Sequence, residues 1–412
     1  MKIFKQSFAA LVVLAILVLL ASCPIRDDSG GQGPSPGITG MELVLDMGIG
    51  VNIGNTLDAI GTFAWHAGET GWGNPLISRD FITALREHGF RTIRLPVTWA
   101  EYIGPEPDFL IAEARMARVE EVVGWILDED MYVILNMHHD GGGADRSWIR
   151  NVADRDDAGY FYREEDVIRK FNIVWTQIAT RFRDAPDKLL LQSMNEVGFD
   201  DLWNRWIPGQ AAQKAEAYRL LNRINQAFVD TVRATGGGNA ERFLVVQGYW
   251  TDIENTVDPL FLMPRDRLSD RLILSIHYYT PWNFIDARSG PSANRVPNNT
   301  VWGSTAQRDQ LNNLFEMLRP RFLDRGVPII LGEYGVYRGA VSPEREEAIF
   351  EWTNAVTSKA LEMGIAPILW CVGSQHTGVA TMGYISRQPP FYMNDILTRV
   401  MDANLSLTGG TR

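Results

Sequence analysis

Eight short apolar runs, separated by longer stretches with helical spacing, constrain this 412-residue chain more than any other feature. They fall at 51–56, 92–99, 132–140, 189–196, 243–250, 272–279, 328–335 and 367–373. Most are apolar on successive residues, as in Val133-Ile134-Leu135 and Ile329-Ile330-Leu331. That pattern suits strands covered on both faces, hence a parallel sheet under helices. In the stretch 78–89, Ser78 stands where an N-cap hydroxyl is wanted, Phe81, Ile82 and Leu85 share a face, and Gly89 suits a left-handed stop. The segments 112–129, 163–183, 212–234, 306–325 and 343–363 predict helices in the same way. The expected fold class is α/β, a (β/α)8 TIM barrel forming one domain over 41–405, with a short tail at 406–412. An open, doubly wound sheet fits less well, because no G-x-G-x-x-G follows the first run. Gly48-x-Gly50 comes closest, but it precedes a strand and has Ile53 where the third glycine belongs.

The first 22 residues read as an export signal. Lys2 and Lys5 form a basic start and Phe8 to Leu20 an unbroken apolar core too short to span a bilayer comfortably. The run ends Leu20-Ala21-Ser22-Cys23, which resembles the lipobox of bacterial lipoproteins. The expectation is therefore cleavage before Cys23 and lipidation of that cysteine. The chain would be exported and held at the outer membrane or cell surface by the lipid alone. An ordinary cleavage site with a chance cysteine is the alternative. The only other cysteine is Cys371, so an acylated Cys23 leaves no disulfide within the chain. Residues 23–40 are rich in Gly, Pro and Ser and read as a tether.

A formal net charge of −11 argues against nucleic acid and against polyanionic ligands, both of which need a basic footprint. A neutral ligand fits. The chemistry-bearing residues gather at the ends of the runs. Arg94 and Trp99 lie in the second, and the third ends Asn136-Met137-His138-His139-Asp140. The fourth ends Asn195-Glu196, and the sixth ends His277-Tyr278-Tyr279. The seventh carries Glu333-Tyr334 and the eighth Trp370, with His376 just beyond. In such a barrel those ends form the active face.

Glu196 and Glu333 interrupt apolar runs, a costly placement unless each carboxylate is paired or used. An ion pair with Arg94 accounts for one of them but hardly both. Two facing carboxylates are what glycosidic-bond hydrolysis requires, one as proton donor and the other attacking the sugar or activating water. Adjacent strand residues point to opposite faces, so His138 and His139 are not expected to share a metal ion, and no zinc motif is present. No Gly-x-Ser-x-Gly elbow supports a serine hydrolase. Many of the 13 tryptophans, Trp65 and Trp72 among them, lie on or just after run ends. Any one of them can be a core residue. Trp370, with Trp203, Trp206 and Trp282, is the candidate set for stacking on sugar rings.

The segments GVNIGNTLDA with WGNP, GFRTIRLPVTW, MYVILNMHHD, SMNE, INQAFVDTVRATGG, ILSIHYYTP, PIILGEYG and ILW resemble glycoside hydrolase family 5, and specifically its subfamily 4 endoglucanases. Their order and spacing cover almost the whole domain. The resemblance implies retaining endo-β-1,4-glucanase activity on cellulose-like, mixed-linkage or xyloglucan chains. It implies Glu196 as acid/base, Glu333 as nucleophile and Asn195 as the partner of the sugar 2-hydroxyl. Arg94 and Tyr279 would hold the nucleophile. His138 and His277 would line the sugar-binding floor, with His139 in the substrate-binding set and Asn55 close by. Trp370 would stack under the sugar at the cleaved bond. No cofactor or metal is implied, and a monomer is expected.

Two positions depart from the family pattern: Val197 replaces the proline after the acid/base, and Cys371 replaces a second tryptophan after Trp370. Two other readings stay open, a β-mannanase of the same fold and a lipid-anchored glycan-binding protein without turnover.

Overall fold

The computed structural model describes residues 37–61, 68–141, 147–152, 164–286, 301–338, 342–373 and 381–408. The export signal, Cys23, Trp65 and His376 lie outside the described residues. The eight runs form eight parallel strands, each bonded to the next, with the last returning to the first in a closed barrel. They are β1 (Gly50–Asn52), β2 (Thr92–Leu95), β3 (Tyr132–Asn136), β4 (Leu189–Gln192), β5 (Leu244–Asp252), β6 (Leu272–Tyr278), β7 (Ile329–Tyr334) and β8 (Ala366–Leu369). Helices Arg79–Glu87, Glu113–Asp128, Glu164–Arg181, Ala211–Ala234 and Pro343–Glu362 pack outside, close to the expected spans. Ser78 caps the first of them by accepting from Phe81 N, and Gly89 follows its end with φ +94°.

Several sequence runs overshoot the strands. Residues 96–99, 137–140 and 193–196 leave the ladder and turn over the rim. The expected helix 306–325 is broken into Thr305–Glu316, Leu318–Arg321 and a 3-10 turn at Leu323–Arg325. At the other boundary, Thr39 caps a helix Gly40–Met47 through a reciprocal bond with Glu42. The helix thus begins inside the stretch read as tether. A 3-10 turn, Leu405–Thr408, likewise runs into the stretch read as tail.

That first helix explains how the barrel is filled. Its Leu43, Val44 and Met47 form one buried cluster with Ile134, Leu190, Val245, Ile273, Ile330 and Ile368. These strand residues point inward and are covered from below. Two residues further along the same strands, on the same face, stand Asn136, Gln192, Gln247, Ser275 and Gly332. The interior therefore changes from apolar to polar one layer before the C-terminal rim. A polar layer of this kind prepares the barrel end for ionisable side chains.

β5 departs from regular geometry where it meets the rim. Its register against β6 shifts between Gln247 and Asp252, and Trp250 and Thr251 have φ of +57° and +55°. Left-handed backbone at non-glycine residues costs on the order of 1–3 kcal/mol each and survives only where the surroundings enforce it. Glu196, at φ +43°, is held the same way.

Candidate active site

Arg94 of β2 organises the site from inside the barrel. Its guanidinium is fully buried and makes four bonds. Nε donates to Gln192 Oε1 at 2.7 Å, and Nη1 donates to Asn52 Oδ1 at 2.9 Å and to Glu333 Oε1 at 2.7 Å. Nη2 donates to Asn195 Oδ1 at 2.6 Å. Asn52 is fixed in turn by donating to the carbonyls of Gly332, Ile368 and Leu369. Residues of β1, β7 and β4 with the loop after it thus hold one cation, and that cation orients both Glu333 and Asn195.

Glu333 also accepts from the Tyr279 hydroxyl at 3.0 Å. Burial raises its carboxyl above the ordinary range, while His277 and Arg94 draw it back. Glu196 sits differently. Its side chain is 31% exposed to the cleft. Burial against protein pushes its carboxyl up to about 7, with Arg94 and His139 opposing more weakly. His277 lies between the two acids, its Nδ1 2.7 Å from Glu196 Oε1 and 3.6 Å from Glu333 Oε2. Burial lowers the imidazole to about 4, so at neutral pH it is uncharged, and with its proton on Nδ1 it donates to Glu196. One oxygen of each carboxylate and a His277 nitrogen all fall within 4.8 Å of one another.

The sugar-floor candidates gather on the opposite flank. The Trp370 ring stacks on His138, with centroids 5.5 Å apart and planes 4° from parallel. Gly54 gives that indole room, since a Cβ there would meet Trp370 Cζ2 at 2.7 Å. His138 is buried, held against Asn136 Nδ2 at 3.1 Å and kept well below its ordinary pKa by burial. Asn55 is half-buried with φ +58°, and its carbonyl accepts from Asn74 of the WGNP segment at 2.8 Å. Trp72 faces His139 at 5.7 Å.

Two expectations need correction. Trp203 is 7% exposed and packs in an aromatic cluster with Tyr218 and Tyr249, so it is chiefly a core residue, with only an edge lining a small pocket beside the cleft. Trp206 and Trp282, in contrast, are 79% and 55% exposed beside the cleft. His138 and His139 do share a side, with ring centroids 4.6 Å apart and donor atoms within 4.8 Å of Asp58. Both lie beyond the end of β3, where strand alternation no longer applies. The Asp58 carboxylate there already accepts the backbone N–H groups of Asn55 and Thr56. The second trio with metal-ligand spacing, Glu196, His277 and Glu333, is the acid pair itself.

The family departures are accommodated by packing. Val197 is buried against Gly141, and its carbonyl accepts from Trp250 N at 3.0 Å, so the turn after Glu196 stays tied to β5. Cys371 is a buried free thiol whose carbonyl accepts from Gly54 and Arg387. Asn52 and Gln192 were not singled out from the sequence. The available signal was a polar residue inside an apolar run, the same signal that marked the glutamates.

A cleft of about 450 Å³ opens along Glu196, His277 and Tyr279 and reaches Trp206, Trp250 and Trp282. A cavity of about 820 Å³ lies at the other end of the barrel, between Ile49, Arg91 and Met401, and includes neither Glu196 nor Glu333 in its lining.

The family model described as Cellulase (glycosyl hydrolase family 5) matches residues 57–376. Endoglucanase A of Paenibacillus barcinonensis is 34% identical over 355 residues, which cover 81% of this chain and 82% of that one. Among solved structures, a GH5-4 broad specificity endoglucanase from an uncultured bovine rumen ciliate superposes with a TM-score of 0.76 at 31% identity, covering 91% of this chain and 99% of that one. A family 5 xyloglucanase from Paenibacillus pabuli does so with a TM-score of 0.74 at 30% identity, covering 89% and 99%.

Proposed function

The chain belongs to glycosyl hydrolase family 5, and from that premise we propose that it is a retaining endo-β-1,4-glucanase using Glu196 as acid/base and Glu333 as nucleophile. The observation that carries this reading is the spacing of the acids. Carboxyl oxygens within 4.8 Å suit direct attack on the sugar, because retaining enzymes hold their acids about 5–5.5 Å apart and inverting ones about 6.5–9.5 Å to admit a water.

The environments assign the roles. Glu333, gripped by Arg94 and Tyr279, is the group those donors aim and stabilise as a carboxylate against the upward pull of burial. Glu196, with a carboxyl near 7, carries a proton in mildly acidic solution and gives it to the departing oxygen. Its carboxylate, stabilised by the His277 N–H, then draws a proton from the water that releases the sugar from Glu333. The Asn195 oxygen is occupied by Arg94, which turns its amide nitrogen to the sugar 2-hydroxyl, a bond that strengthens in the transition state. Trp370 and His138 form the floor on the side that keeps the covalent sugar. Trp206 and Trp282 stand on the leaving-group side.

Named relatives that cut glucan favour this reading over a mannanase. The intact acid pair, with Arg94 and Tyr279, favours it over a silent binder. The test uses residues 24–412, assayed for reducing ends from mixed-linkage β-glucan, xyloglucan, carboxymethylcellulose and mannan, with Glu333→Gln as control. Glucan cleavage lost in the control supports it. A folded protein that binds glucan and releases nothing overturns it. Export and lipidation at Cys23 belong to the same proposal, placing the enzyme where polysaccharide is met. Cys23→Ala in the full chain should release the protein from membranes.

A further inference from the structure

A circuit of three hydrogen bonds closes around Asn136 where β3 gives way to the rim. His138 N donates to the Val97 carbonyl at 2.8 Å, Val97 N donates to Asn136 Oδ1 at 3.0 Å, and Asn136 Nδ2 lies 3.1 Å from His138 Nδ1. Asn136 is fully buried, and its own carbonyl accepts from Trp99 Nε1 at 3.1 Å. A backbone N–H can only donate, so the amide atom facing Val97 is the oxygen, and the nitrogen is left for His138. That nitrogen can only donate in turn, which makes His138 Nδ1 the acceptor. Burial keeps the ring uncharged at neutral pH, and a neutral imidazole carries one proton. The proton is therefore on Nε2.

His277 is held in the opposite form, with Nδ1 donating to Glu196. Among the described residues, His138 Nε2 has no hydrogen-bond partner, and its ring stacks on Trp370. The free donor thus belongs to the floor on the side that keeps the covalent sugar. With Nδ1 occupied and Nε2 protonated, His138 keeps no lone pair for the cation that its spacing from Asp58 and His139 would otherwise suit. A sugar hydroxyl, with two lone pairs to accept with, is the partner this arrangement selects.

We propose that Asn136 is a positioning residue for the reaction: by holding His138 in its Nε2–H form, it makes the floor donate to a hydroxyl oxygen of the sugar that stays on the enzyme. The inference rests on the glucanase reading above and adds to it a residue that never touches substrate. The other tautomer would turn a bare lone pair toward that hydroxyl. The hydroxyl would then have to aim its own proton at the ring and give up the partner which that proton has.

The test is 15N NMR of residues 24–412 labelled at histidine, with the His138 signals assigned by their loss in His138→Gln. Expected in the wild type is a proton on Nε2 and none on Nδ1; the reverse overturns the inference, and this reading needs no variant at Asn136. In Glu333→Gln, which binds without turnover, an added cello-oligosaccharide should shift the His138 Nε2–H signal while leaving it protonated. A saturated complex with that signal unmoved overturns donation to the sugar. Asn136→Asp keeps an oxygen for Val97 and offers a second to His138 Nδ1, so the ring should carry a proton on Nδ1, with kcat/KM on β-glucan lower by about tenfold or more. A ring that stays in the Nε2–H form in this variant, or one that changes form without loss of activity, overturns the role of Asn136. A wild type that cleaves no glucan sinks the glucanase reading instead, a failure visible before any spectrum is recorded.

Discussion

Arg94 donates from Nη1 to Oε1 of Glu333 across 2.7 Å, inside a barrel that closes both side chains from water. Replacing the cation by Arg94→Met leaves the carboxyl buried without its charge partner. Removing one member of a buried pair costs about 3–5 kcal/mol. The expected outcome is that loss in denaturant unfolding, together with a fall of at least a hundredfold in kcat/KM. The acidic limb of the pH profile should also move upward, because the remaining environment favours protonated Glu333.

The basic limb belongs to Glu196. Its carboxyl is raised to about 7, so kcat/KM on polysaccharide should decline as pH rises through that value. Glu196→Gln should remove this limb. It should also spare the first step for an aryl glycoside whose leaving group needs no proton. Equal losses on the aryl substrate and on polysaccharide would argue against the acid role.

The same shift has a consequence for stability. A carboxyl raised in the folded state contributes stability below its unfolded value, near 4.5, and loses that contribution as pH rises through about 7. Above pH 7 the folded protein must hold an ionised Glu196 in poorly hydrated surroundings. Glu196→Gln is therefore expected to melt higher than wild type at pH 8, with the gain disappearing near pH 4. Melting curves at the two pH values measure it.

Trp203 and Trp206 should part company under the same substitution. Trp203→Ala empties a packed aromatic cluster and is expected to destabilise by about 3–5 kcal/mol. Trp206→Ala removes an exposed ring, so stability should hold while KM rises several-fold. Paired urea titrations and kinetics separate core from platform.

These two tryptophans also mark how far the sequence could be read. Spacing placed both near the end of the fourth run, but burial depends on what the turn packs against, and that is set by Tyr218 and Tyr249 from other elements. Glu196, Glu333 and Arg94 were legible because ionisable residues in apolar strand runs have few structural uses, while Tyr279 was marked out by the family resemblance. Asn52 and Gln192 carried the same mark more faintly, since a neutral amide in a strand costs less than a charge. The pairing of His138 with His139 was misjudged because the third run overshoots β3, and alternation fails where the ladder ends. The helix Gly40–Met47 was hidden by the Gly- and Pro-rich stretch before it, although Thr39 and Glu42 spell a capping box.

The central claim is that two closely spaced carboxylates act in turn on the same sugar. Proton NMR of the reducing end during the first minutes of β-glucan hydrolysis tests it most directly. Double displacement through Glu333 predicts that the β-anomer appears first and only later equilibrates with α. If the α-anomer appeared first, a single displacement by water would be operating, and the roles assigned to Glu196 and Glu333 would be contradicted.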